Sequence, residues 1–236
     1  MSNLPLSGKL ALVTGASRGI GAATAEALGA AGAHVILTAR TVGGLEEVEE
    51  RVHSAGGSAT IAPLDLIDGE SIGRLAQAVS GRWQALDVLV LNAATLGSLA
   101  SVPAIDAKEF ARLLTLNIAA PQALIAAFDS MLRASASARV IAVTSSVATA
   151  PRAYWGAYGA SKAALETLVS AYGEEVKNIS SIRTHIVDPG ATRTAMRARA
   201  FPGEDPATLK DPKVVGQAMV DLILSDRPDG YHHRVD

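Results

Sequence analysis

Short runs of aliphatic and β-branched residues alternate along the chain with longer stretches whose apolar positions recur at helical spacing. The runs Lys9 to Thr14, His34 to Ala39, Ser58 to Leu64, Leu86 to Leu91, Arg139 to Thr144, Ile182 to Val187 and Tyr231 to Val235 read as strands. Between them, Arg18 to Ala31, Gly43 to Ala55, Asp68 to Trp83, Asp106 to Arg133, Ala153 to Lys177 and Val214 to Leu224 read as helices. Asp106, with Glu109 three residues on, makes a plausible N-cap. The run Leu86-Asp87-Val88-Leu89-Val90-Leu91 is apolar nearly throughout, as expected of a parallel strand buried on both faces. Strand–helix alternation predicts an α/β fold: a doubly wound parallel sheet of about seven strands, helices on both faces, right-handed crossovers. In such sheets ligands bind at the carboxyl ends of the strands, where the strand order reverses. Residues 188–212 carry Pro, Gly and mixed charge and read as a long functional loop.

The chain has 236 residues and 49% hydrophobic content, enough for one large domain over residues 1–236 and too little to argue for two. The formal net charge of -2 leaves no electrostatic footprint for nucleic acid or an anionic membrane. Without cysteine, disulfides, thiol nucleophiles and thiolate metal sites are excluded. No metal cluster is read around His232 and His233. The start, Met1-Ser2-Asn3-Leu4-Pro5, does not read as a signal peptide. Leu113 to Phe128, interrupted by Asn117, Pro121 and Gln122, reads as too short and too polar to span a bilayer. These features fit a cytoplasmic protein.

Candidate chemistry starts with Tyr158 and Lys162. Four apart on a helix, they share a face, so the ammonium can approach the phenol. A neighbouring cation lowers a phenol's pKa, which would make Tyr158 a usable general acid/base. A second feature lies at the other end of the chain. Thr14-Gly15-Ala16-Ser17-Arg18-Gly19-Ile20-Gly21 joins the first strand to the first helix. Glycines there let the backbone approach a pyrophosphate, and the helix N-terminus offers it free N–H groups.

The Gly-x-x-x-Gly-x-Gly spacing together with Tyr158-x-x-x-Lys162 resembles the short-chain dehydrogenase/reductase family, of the classical type with a Rossmann-like fold. Further matches follow in family order. Asp65, with Leu66 beside it, stands where an Asp contacts the adenine. Asn92-Ala93-Ala94 stands for the family's Asn-Ala-Gly, with Ala94 a departure from it. Asn117 falls where a relay Asn is usual, and Ser146 follows the fifth strand. Asp188-Pro189-Gly190-Ala191-Thr192-Arg193-Thr194 resembles the segment that clamps the nicotinamide.

The resemblance implies a nicotinamide cofactor, and the second strand suggests which. An acidic residue at its end would favour an unphosphorylated ribose; here the strand ends Thr38-Ala39-Arg40. Arg40 and Arg18 are placed for a 2′-phosphate, which predicts NADP(H) over NAD(H). By resemblance, Tyr158 protonates a developing alkoxide and Lys162 tunes it while holding the nicotinamide ribose. Ser146 polarises the substrate oxygen, and Asn117 holds a water leading from Lys162. Ser145 lies thirteen positions before Tyr158, a spacing common in the family, but Ser146-Val147 matches the family's Ser-Val pattern, so Ser146 is preferred.

The expected activity is therefore hydride transfer between NADP(H) and a carbonyl or alcohol. A 3-oxoacyl thioester reductase and a non-catalytic nucleotide-binding regulator are the alternatives. Substrate selection is expected in residues 193–212, with 95–103 and 147–157. Arg197 and Arg199 could meet an anionic substrate, although a solvated loop is the simpler reading. Tyr154 and Trp155 are expected to line the substrate side or pack in the loop before the helix. Second apolar faces on the helices over 106–133 and 153–177 predict a homodimer or homotetramer.

Overall fold

A computed structural model describes residues 4–236; the reading of the chain's start as free of a leader falls partly outside them, on Met1 to Asn3. The seven expected strands are present: β1 Leu10–Thr14, β2 His34–Ala39, β3 Ser58–Pro63, β4 Val88–Leu91, β5 Arg139–Val143, β6 Arg183–Asp188 and β7 Tyr231–Arg234. They form one sheet in the order β3-β2-β1-β4-β5-β6-β7, and every pairing is parallel. Every residue of β1, β4 and β5 is buried, which is why these strands lack polar alternation.

Helices cover both faces. α1 Gly19–Ala30, α2 Val42–Ser54 and α8 Pro212–Leu224 bury Leu28, Val48 and Met219 against Val13, Leu37 and Ile141. On the other face lie α3 Gly69–Ser80, α5 Ala120–Ala134 and α6 Gly156–Val176. They pack Ile72, Phe128 and Val169 against Leu12, Leu89 and Val140. The chain leaves β3 at one edge and crosses to β4 beside β1, so the order reverses between β1 and β4. Gly15 follows β1 and Asn92 follows β4, which puts both at the mouth of the crevice expected to hold a ligand.

Four regions differ from the sequence reading. The helix expected over 106–133 consists of α4 Ala107–Leu114 and α5, joined by a π-helical turn, Thr115–Ala119. Its N-cap is as expected, with Asp106 accepting from the Glu109 N–H at 2.8 Å. The continuous helix Ala107–Ala134 is, by length and composition, long and apolar enough to cross a membrane, unlike the shorter stretch considered above. Its inward residues Leu124, Phe128 and Leu132 pack under the sheet, as in a core helix.

The helix expected from Ala153 starts only at Gly156, because Tyr154 has φ +71° and its left-handed backbone cannot continue a helix. Residues 188–212 are not simply a loop. They hold α7 Ala195–Ala200, capped by the Thr194 hydroxyl, which accepts from the Arg197 N–H at 3.1 Å. The last long helix begins two residues early, with Pro212 in its first turn and Asp211 as N-cap.

Candidate active site

A cleft of about 1260 Å³ opens along the carboxyl ends of β1, β2, β4, β5 and β6. Single-ligand pockets run to about 300–1,000 Å³, so there is room for a dinucleotide and a substrate together. Of the residues singled out from sequence, Gly15, Ser17, Arg18, Gly19, Ile20, Arg40, Asp65, Leu66, Asn92 and Ala93 line it. So do Ser146, Tyr158, Lys162, Pro189, Gly190, Thr192 and Thr194. Gly21 and Asn117 are not on its surface.

The turn after β1 fits a phosphate. Arg18 is the N-cap of α1 but makes no side-chain cap bond, so no capping side chain takes up the first N–H groups of the helix. Gly15 has φ +65°, and a Cβ on Gly21 would lie 2.3 Å from the Gly15 carbonyl oxygen. The turn can close this tightly only on a residue without a side chain. Asn92 holds it: its Nδ2 donates to the Thr14 carbonyl at 2.8 Å. The Thr14 hydroxyl accepts from Asn92 N and Ala93 N and donates to the Val90 carbonyl. Asn92 therefore shapes the cradle with its side chain. Ala94, where the family's Gly was expected, lies in the wall without a left-handed backbone.

At the β2 end, Arg18 and Arg40 are exposed at the cleft, and neither has a carboxylate within 4.0 Å among the described residues. Arg51, also in this wall, is neutralised by Glu26 at 2.5 Å. Two unpaired cations and no acidic residue at the strand end suit an anionic group on the ribose.

The chemical end is built on α6. Tyr158 and Lys162 both face inward from it, 7% and 1% exposed. The Lys162 ammonium donates to the Val143 carbonyl at 2.7 Å and lies 5.8 Å from the centre of the Tyr158 ring. Burial pushes Lys162 down to about 8, opposed by Glu166 one turn further on, which accepts a hydrogen bond from the Thr144 hydroxyl. Burial pushes the Tyr158 phenol up, and the Asp188 carboxylate adds to this. That is opposite to the direction expected from sequence: loss of solvent dominates, and the Lys162 ammonium donates to a backbone carbonyl instead of to the phenol. Tyr158 is thus a protonated phenol at neutral pH, fit to donate.

Asn117 sits in the π turn, 1% exposed. Its Oδ1 accepts from Thr95 N at 2.9 Å, and its Nδ2 donates to the Thr95 carbonyl and to the Ser161 hydroxyl, both at 3.0 Å. The extra residue of a π turn re-aims one side chain inward, a signal that apolar periodicity does not carry. Ser145 is extended two residues past the end of β5, and Ser146 opens a 3₁₀ turn, Ser146–Ala148. Both line the cleft. Trp155 lines it too, edge-on to Tyr158 and close to Phe201, whereas Tyr154 is 63% exposed and absent from the wall. Sequence reasoning passed over Arg152, whose guanidinium comes within 3.5 Å of the Ser146 hydroxyl. No group of three or more metal-ligating side chains occurs among the described residues.

Known proteins resemble this chain in sequence and in fold. The uncharacterized oxidoreductase YciK of Escherichia coli K12 is 34% identical over 210 residues, 88% of this chain and 82% of that one. A Pseudomonas syringae structure described as a short chain dehydrogenase superposes with a TM-score of 0.95 at 34% identity, covering 99% of this chain and 97% of that one. A similarly described Escherichia coli CFT073 structure, complexed with NADPH, gives 0.93 at 33% identity, covering 100% and 99%. With the short chain dehydrogenase family model matching residues 9–205, the chain belongs to that family of oxidoreductases.

Proposed function

We infer that the protein is an NADP(H)-dependent oxidoreductase that interconverts a carbonyl and the corresponding alcohol. The observation that carries this reading is the placement of a buried Tyr158–Lys162 pair at one end of a cleft whose other end holds two unpaired arginines. When bound, the cofactor supplies a hydride to the carbonyl carbon. Gly15, Gly19 and the first turn of α1 would hold its pyrophosphate, and Arg18 and Arg40 its 2′-phosphate. Asp65 with Leu66 would border the adenine, and Pro189 to Thr194 the nicotinamide.

The chain's own residues then manage the oxygen. Ser146 donates a hydrogen bond to it as the carbonyl π pair moves onto it. Tyr158 gives up its proton to the oxygen, completing the alcohol, and the cationic form of Lys162 stabilises the phenolate left behind. Asn117 keeps the catalytic turn of α6 in register and holds the water that reconnects Lys162 with solvent. In the reverse direction the same groups take the proton from an alcohol. Outward alanines on α5 and α6, Ala126, Ala160 and Ala171, permit close helix contact with a second copy and support a homo-oligomer. A cytoplasmic setting fits the pool of reduced cofactor this chemistry draws on.

The test is loss of NADPH absorbance against aldehydes, ketones, quinones and a 3-oxoacyl thioester, beside NADH. Turnover that prefers NADPH and disappears in Tyr158→Phe is the expected result. Tight NADPH binding without turnover on any carbonyl would leave a nucleotide-binding regulator instead.

A further inference from the structure

The substrate side of the cleft contains a cation with no counter-ion among the described residues. Four arginines surround this end, and three are engaged. Arg193 pairs with Asp211 at 2.6 Å. Arg197 makes two 2.6 Å bonds to the Glu204 carboxylate while lying over the Phe201 ring. Arg199 donates to the Gly97 carbonyl, tying α7 to the loop after β4. The fourth, Arg152, reaches the Ser146 hydroxyl at 3.5 Å and has no carboxylate within 4.0 Å among the described residues.

The cleft's own carboxylates are committed elsewhere. Glu26 is paired with Arg51, Asp211 with Arg193, and Asp65 accepts from the Ile67 N–H. Asp188 accepts from the Gly190 N–H and lies 3.8 Å from Arg234. The left-handed backbone at Tyr154 turns that ring to solvent while Trp155 enters the wall. Tyr158 packs in an apolar cluster with Leu96, Val147, Trp155, Met196 and Ala200, which supplies an apolar stretch of this wall.

We propose that Arg152 is a specificity-determining residue that receives a carboxylate one or two carbons from the reacting carbonyl, so that the substrates are 2-oxo or 3-oxo acids with an apolar chain, or the matching hydroxy acids. The inference deepens the oxidoreductase reading and rests on its assignment of Tyr158 and of the serine pair to the carbonyl oxygen. A guanidinium fork suits a carboxylate bidentately. Its closeness to Ser146 fixes the spacing, since an acid group held there lies next to an oxygen held by the serine. The apolar wall takes the chain beyond the carbonyl. A neutral ketone would leave the guanidinium to water and gain nothing from it.

The experiment compares 2-oxohexanoate and 3-oxohexanoate with their methyl esters, in wild type, Arg152→Gln and Arg152→Lys. Arg152 is exposed and holds no packing contact in the core, so these variants are expected to fold. The expected result is a kcat/KM for the free acid that exceeds the ester in wild type and falls about tenfold to a hundredfold in Arg152→Gln, with the ester falling far less. Arg152→Lys should recover part of the loss. Equal slowing of acid and ester in Arg152→Gln would assign the guanidinium to the carbonyl oxygen itself and overturn the proposal, as would a wild-type preference for the ester.

A binding measurement separates this from failure of the oxidoreductase reading. Titration of 2-oxohexanoate into the protein, with NADP⁺ and without it, is followed by calorimetry, where no hydride is available. Binding weakened at least about tenfold in Arg152→Gln supports the carboxylate site even if no carbonyl is turned over. Binding that is undetectable, or the same in both proteins, sinks it even if neutral ketones are reduced.

Discussion

The side-chain amide of Asn117 donates to the Ser161 hydroxyl across 3.0 Å, and that hydroxyl donates in turn to the Tyr158 carbonyl at 2.8 Å. Residues 44 positions apart are thereby locked together: a π turn on one helix fixes the turn of another that carries the phenol and the ammonium. The same amide clamps the loop after β4 through both backbone polar groups of Thr95.

Replacing Asn117 with Leu removes all three bonds and strands the Thr95 N–H in a half-buried site. Each buried group left unsatisfied costs about 1–3 kcal/mol, so thermal stability should fall by several degrees. Turnover measured well below the new melting temperature should still drop at least about tenfold, because small displacements of positioned groups carry rate costs of this order. A variant that melts earlier but turns over normally when folded would confine Asn117 to scaffolding.

Cofactor choice is expected to follow Arg40. Without a carboxylate partner among the described residues, its charge is available to a 2′-phosphate. Arg40→Asp replaces attraction by repulsion and supplies an acceptor for a ribose hydroxyl. The ratio of kcat/KM with NADPH to that with NADH should fall by about a hundredfold, the scale of one lost charge-assisted contact of roughly 1.5–3 kcal/mol. An unchanged ratio would remove Arg40 from the cofactor.

The serine pair can be resolved by single substitutions. Two residues past the end of β5 the backbone is extended at Ser145, and the chain then turns at Ser146, so the two hydroxyls should leave it in different directions. If Ser146 polarises the oxygen, Ser146→Ala should lose about a hundredfold or more in kcat, the scale of a lost oxyanion donor. Ser145→Ala should stay within a few fold. The opposite ranking would transfer the role to Ser145, at the thirteen-residue spacing from Tyr158.

The strands and the phosphate turn were legible because their causes are local. Continuous apolar runs mark strands covered on both faces, and a glycine turn followed by a helix marks an anion cradle. Tyr158, Lys162 and their shared face follow from a four-residue spacing alone. The direction of the Tyr158 shift was not legible, because it depends on how much solvent the folded cleft removes and on Asp188 arriving from β6. Arg152 was equally hidden. Its significance lies in what Arg193, Arg197 and Arg199 are already bound to, and pairing of that kind is decided by tertiary contacts. The π turn and the left-handed Tyr154 break the regular period, so a periodic reading extended helices through both.

The sheet also carries a titratable group outside the cleft whose state should set acid stability. His185 on β6 is fully buried, and neither ring nitrogen has a hydrogen-bond partner among the described residues. Burial, with Arg139 beside it, pushes its pKa down to about 4 from 6.5, against the pull of Asp229. The unfolded chain therefore binds a proton between these values that the folded chain refuses, and stability falls as pH drops through about 6.5 toward 4. At pH 5 the loss amounts to about 2 kcal/mol. His185→Leu removes the proton-binding group and the two unpartnered nitrogens while keeping the site apolar. Its melting temperature should exceed that of wild type by about 4–8 °C more at pH 5 than at pH 8. Differential scanning calorimetry at the two pH values checks this, and an equal gain at both would mean that His185 does not control the acid limb.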